Sequence, residues 1–227
     1  MPEVACNLSD CFLCKSCLPE WKAAIGAKKK TIQFKKGQHV FHENDKVKGI
    51  FFVYSGSVKV YKKWTGNKEL ILRFARGGDV LGHRGLGDDI YPVSARALEE
   101  TRLCFITNDF LEASLKINPT LTHGLMRLYA SDLQKAEKRM RDLAHMEVKG
   151  RIADALLEIA NVYGYRRDKF IAAAITRQDI SSYAGTTYET VFKFLSELSR
   201  KKIISASGKS IKINKPEHLK KFIIDRS

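Results

Sequence analysis

From Thr31 to about Ile106 the apolar residues come in short β-prone runs: TIQF, HVFH, GIFFVYSGSVKVYKKW, KELILRF, SARAL and RLCFI. Polar turn segments, KKG, END, SG, TGN, RGGD and GDD, separate them. Many short strands without intervening helices predict a sandwich or barrel of the jelly-roll kind.

Beyond that stretch the period changes. Asn108 is expected to cap a short helix, and Asn118 and Pro119 should end it and open a longer one. In the longer helix Leu121, Leu125, Tyr129, Leu133, Ala136, Met140 and Leu143 recur at steps of three and four, a narrow apolar stripe on a charged surface. Such a stripe packs a helix either on the β domain or against a second copy of itself. The next helical segment, VKGRIADALLEIANVYG, should stop at Gly164.

The segment ITRQDISSYAGTTYETVFKFLSELSRKKIISASGKSIKI is patterned as two short helices and a hairpin. Thr176 and Asp179 fit a capping pair, Gly185 supplies a tight turn after about Ala184, and Thr186 or Thr187 can cap a second helix running to about Lys201. Two helices joined in this way are the sequence form of a helix-turn-helix. Val191, Phe194, Leu195 and Leu198 should bury one face of the second helix, leaving Tyr188, Glu189, Phe192, Lys193 and Ser196 on the face that a recognition helix turns to the major groove. Glu189 could accept from a cytosine amino group, Lys193 could donate to guanine, and Phe192 could touch a thymine methyl. The hairpin, with its tip near Ser207-Gly208, reads as a wing whose Lys209 and Lys212 suit phosphate contacts. Thr176, Arg177, Gln178, Thr187 and Thr190 complete the candidate DNA-contact set. On spacing alone, an ordinary helical hairpin with a solvated basic face is the alternative.

Charge sharpens the choice. The formal net charge is +15 and the isoelectric point about 9.6, so the surface attracts polyanions, nucleic acid or acidic membrane. Residues 147–227 carry 16 basic and 9 acidic side chains, so the basic excess is denser there than in the longer remainder. No apolar run approaches the roughly 20 residues needed to span a bilayer. The N-terminal segment carries Asp10 and several cysteines in place of a basic stretch followed by an apolar run, which reads as a cytoplasmic chain. Five cysteines without an export signal suggest reduced thiols or metal ligands rather than a disulfide framework. Cys11, Cys14 and Cys17 have CxxCxxC spacing, Cys6 lies just upstream, and Cys104 sits in the RLCFI run. An iron–sulfur cluster such as [4Fe-4S], a zinc ion, and free thiols with Cys104 as a small core residue are all compatible with that pattern.

The helix-turn-helix segment resembles the DNA-binding region of the Crp/Fnr regulators. KKGQHVFHENDKVKGIFFVYSGSVKVYKK and RGGDVLGHRGLGDDIYPVSARALEETRLCFI resemble that family's cyclic-nucleotide-binding-type β-barrel, so the likeness spans nearly everything from Thr31 onward. It implies an α+β protein: an N-terminal double-stranded β-helix (jelly-roll, cyclic-nucleotide-binding-like) domain, a long dimerisation helix and a C-terminal winged helix-turn-helix domain. The expected organisation is an arm over 1–27, a sensor over 28–108, a linker and dimerisation helix over 109–146, and a DNA-binding domain over 147–227. The implied function is a transcription regulator, not an enzyme. It would be a homodimer on an inverted repeat in duplex DNA, acting on RNA polymerase, with no membrane partner. Glu189 matches the family's base-reading glutamate and Lys193 stands where arginine is usual. Tyr188 and Phe192 depart from the residues of the best-known members.

The resemblance also places a sensor pocket at Gly82, His83, Arg84, Ser94 and Ala95. Members that bind cyclic AMP hold its ribose with a glutamate and its phosphate with an arginine, where this chain has His83 and Val93. A valine cannot compensate a buried phosphate charge, which argues against cyclic AMP. Arg73, His83, Arg84 and Arg96 either serve another anion or are loop and surface charges. The cysteine arm, with Cys104 at the matching place in the β domain, resembles the oxygen-sensing Fnr branch, although its spacing is tighter. Two readings compete with DNA regulation: a redox or metal-dependent enzyme built on the cysteines, and a small-molecule-binding module without DNA function. No nucleophile–base arrangement supports the first, and the basic C-terminal domain argues against the second.

Overall fold

The computed structural model describes residues 11–66, 68–173 and 175–223. It opens with helix α1 (Phe12–Ser16), a 3-10 turn (Pro19–Trp21) and helix α2 (Lys22–Lys28). The strands are β1 (Lys30–Phe34), β2 (His39–Phe41), β3 (Gly49–Ser55), β4 (Ser57–Lys63), β5 (Glu69–Arg76), β6 (Val80–Leu81), β7 (Ser94–Ala97) and β8 (Thr101–Thr107). They form two four-stranded sheets, ordered β1-β8-β3-β6 and β2-β7-β4-β5. Alternation along the strands sets the faces. Val58 pairs with Ala97 and Val60 with Ala95, and all four are at most 3% exposed. Gly56, at φ +91°, makes the β3–β4 turn, where a Cβ would lie 2.6 Å from the Glu100 carbonyl oxygen.

Thr107 ends β8 and also caps α3 (Asn108–Ile117), its hydroxyl accepting from Phe110 N–H at 3.4 Å. The cap therefore falls one residue before the expected Asn108, because the last strand residue is already extended with a hydroxyl in place. Helix α4 (Pro119–His145) begins with proline, where no backbone N–H is needed. Its expected single stripe divides in two. Leu121 and Leu125 are buried, whereas Leu133 and Met140 are exposed at 61 and 62%, as is Met126, a residue outside that stripe, at 63%. The first two serve the sensor core, and the exposed residues, spaced by seven, continue alone.

The remaining elements are α5 (Val148–Tyr163), α6 (Arg177–Ala184), α7 (Tyr188–Arg200), β9 (Ile204–Ser207), β10 (Ser210–Ile213) and α8 (Pro216–Ile223). Gly164 caps α5, as its sequence suggests. The chain divides into two compact units, one from residues up to 62 with 75–134, the other from 63–74 with the residues from 135 onward. In the second, Ile152 and Leu156 of α5 are fully buried, as are Ile180 of α6 and Val191 and Leu198 of α7.

Candidate nucleic-acid interface

The helix-turn-helix is fixed at both ends of its first helix. Thr176 accepts from Asp179 N–H at 3.0 Å, and the Asp179 carboxylate accepts from Thr176 N–H at 3.1 Å, a reciprocal capping box at the start of α6. At the other end Gly185 takes φ +61° and ψ +47°, the left-handed conformation that turns the chain toward α7. Two arginines hold this turn. Arg151 on α5 donates to the Ala184 carbonyl at 2.9 Å and to the Met146 carbonyl at 2.7 Å. Arg139 on α4 donates to the Tyr183 carbonyl and lies 3.7 Å from the Tyr183 ring centroid. Neither arginine stands out in the sequence, since each is one basic residue among many on its helix.

Of the two possible caps for α7, Thr187 is the one used; its hydroxyl accepts from Thr190 N–H at 3.2 Å. Val191, Phe194, Leu195 and Leu198 are buried, and Tyr188, Glu189, Phe192 and Lys193 are exposed. Gln178 and Lys209 are exposed as well, and Thr176, Arg177 and Thr190 are half-buried. Strands β9 and β10 pair antiparallel, Ile211 opposite Ala206, and the hairpin turns at Gly208-Lys209. A crevice lined by Thr176, Arg177, Gln178, Tyr188 and Lys209 brings the start of α6, the first residue of α7 and the wing together. Arg177 lies 5.4 Å over the Phe192 ring, an interaction the sequence spacing did not suggest.

The sensor residues fall into two sets. His83, expected either to serve an anion or to be a loop or surface charge, is 2% exposed and lies 3.1 Å from the Asp132 carboxylate of α4. Arg84 donates to the same oxygen at 3.4 Å, and Tyr129 donates its hydroxyl to the His83 carbonyl. The local reason is the left-handed Gly82, which turns the following 3-10 segment so that His83 points inward. Ser94 instead accepts from Glu43 N–H at 2.9 Å, and Ala95 is fully buried. Val93, buried itself, offers no charge to a phosphate.

Cys6 lies outside the described residues. Cys11, Cys14, Cys17 and Cys104 all belong to one buried cluster with Ile50, Phe52 and Val80 of the sheet. Phe12 stacks on Phe52, and Phe12 N–H donates to the Gly78 carbonyl at 3.3 Å, which seats α1 on the sheet. Asn118 draws in the next turn, accepting from Leu18 N–H at 3.0 Å and from Cys17 Sγ at 3.6 Å. Cys14 donates to Cys11, and this hydrogen bond holds the Cys11 thiol down at about 6 against the opposing effect of burial. Burial raises the Cys17 thiol. The chain thus gathers four thiols in one region, yet among the described residues no three Cys, His, Asp or Glu side chains converge as a metal ion requires.

Residues 31–118 match the cyclic nucleotide-binding domain family, and residues 150–222 match the Crp-like helix-turn-helix domain. The transcriptional activator protein anr of Pseudomonas aeruginosa is 29% identical over 94% of this chain and 90% of its own length. The anaerobic regulatory protein of Bacillus subtilis is 29% identical over 93% of this chain and 90% of its own. Among solved structures, FixK2 from Bradyrhizobium japonicum superposes with a TM-score of 0.78 at 25% identity, covering 88% of this chain and 99% of that one.

Proposed function

Since the chain belongs to the Crp/Fnr family of transcription regulators, we propose that it works in the cytoplasm as a homodimer that reads an inverted repeat and governs RNA polymerase there. The observation that carries this reading is the exposed, capped α7, with Glu189 and Lys193 in its first two turns and the basic wing beside it. Glu189 would accept from a cytosine amino group and Lys193 would donate to guanine, so a G·C pair is expected in each half-site. Lys209, and the backbone N–H groups at the start of α6, would meet phosphates and set the register without reading sequence. Met126, Leu133 and Met140 would supply the dimer seam, and two-fold symmetry in the protein would appear as an inverted repeat in the DNA.

The input to the sensor domain is a signal other than cyclic AMP, a reading supported by buried Val93 and by a His83 engaged with Asp132. The thiol-bearing arm is the part of the chain whose chemistry would respond to redox conditions, and one relative, in Bacillus subtilis, is named an anaerobic regulatory protein. The relatives' names describe regulators rather than enzymes. Selection of bound duplexes from a random library by the full chain tests the central reading. An enriched inverted repeat is expected, and a pool without enrichment would contradict it.

A further inference from the structure

Tyr188 and Phe192 are four residues apart on α7 and share one face of it. Their rings stack with centroids 6.5 Å apart and planes 16° apart, and the Arg177 guanidinium lies 5.4 Å from the Phe192 centroid. Both rings are left to solvent, 42 and 47% exposed, although the same helix buries four other apolar residues completely. The apolar surface is therefore separate from the core-facing side. Arg177 and Lys209 line a crevice with Tyr188, and exposed Lys193 and Glu189 follow the two rings in sequence, a charge pattern suited to a polyanion and poor for an apolar protein partner.

In the major groove, base edges present polar donors and acceptors with one apolar exception, the thymine C5-methyl group. We propose that Tyr188 and Phe192 form a methyl-reading surface that selects thymine beside the pair read by Glu189 and Lys193, with Arg177 holding the Phe192 ring in place. The inference rests on the DNA-binding reading above. The 6.5 Å ring separation is comparable to two base steps of about 3.4 Å each, so one aromatic pair can serve two thymines of a half-site.

The test uses the site selected by the full chain, purified both in air and anaerobically, and replaces each half-site thymine with uracil, which lacks only the methyl. Loss of one methyl contact should weaken binding by about fourfold, the factor that corresponds to burying one methyl-sized group. That loss should disappear in Phe192→Ala or Tyr188→Ala at the thymine each ring covers. Because the uracil duplexes are first measured with the unaltered chain, the result does not depend on a variant folding. Selective binding that is indifferent to uracil overturns the methyl-reading surface and leaves the DNA-binding reading intact. A uracil effect that persists in both variants also overturns it. Failure to select any site, from either preparation, overturns the DNA-binding reading itself.

Discussion

The imidazole of His83 stands 3.1 Å from the carboxylate of Asp132, joining the turn after β6 to the middle of α4. Arg84 and Tyr129 reinforce the same junction. Removing this acceptor would take away the carboxylate that faces a nearly inaccessible imidazole, so the pair ties the sensor turn to the helix proposed to carry the dimer seam.

Asp132→Ala should therefore destabilise the folded chain by about 2 kcal/mol, the range for stranding a buried hydrogen-bonding group, read as a lower urea midpoint with unchanged slope. Asp132→Asn, which keeps an acceptor, should lose less. Equal stability in all three proteins would show that the contact carries no weight.

Leu133→Asp combined with Met140→Asp should convert a dimer to a monomer in sedimentation velocity. These side chains are 61 and 62% exposed in the single chain, so the charges do not disturb its core. A double variant that remains dimeric would place the seam elsewhere.

Much of this organisation is legible in the sequence because local chemistry decides it. The Thr176–Asp179 cap, Gly185, the four buried residues of α7 and the stop at Gly164 each follow from a residue type at a fixed offset. The division of the α4 stripe is not legible. Leu121 and Leu133 share the same periodicity, and only the position of the sheet and of α1 determines which is covered. Strand β6 is hidden for a related reason: Val80-Leu81 is short and embedded in the turn-like RGGDVLG. His83 appears in sequence as one polar residue in a basic loop, and its burial depends on Asp132, 49 residues away.

The thiols should separate by pH. Cys11, with its pKa lowered to about 6 chiefly by the Cys14 hydrogen bond, is largely thiolate at pH 7. Cys17, raised by burial, is thiol at that pH. Cys11 also lines an open cleft with Lys15, Tyr54 and Arg76. Iodoacetamide at pH 7, followed by peptide mass spectrometry, should modify Cys11 before Cys17, and lowering the pH through 6 should slow the Cys11 reaction as its thiolate is protonated. Modification of Cys17 first would contradict the assignment.

Cyclic AMP should leave the melting temperature unchanged, because a ligand that binds only the folded state at a hundred times its dissociation constant would add about 2.7 kcal/mol and shift it clearly. A concentration-dependent rise would mean that another cation does the work Val93 cannot.

The most direct test is a fluorescence titration of three chains, unaltered, Glu189→Ala and Lys209→Ala, on the selected inverted repeat and on a scrambled duplex at one salt concentration. The unaltered chain should prefer its site by about a thousandfold or more. Glu189→Ala should lose about 1–3 kcal/mol on the site alone, whereas Lys209→Ala should weaken both duplexes alike. Equal loss on both duplexes with Glu189→Ala would contradict base reading by α7.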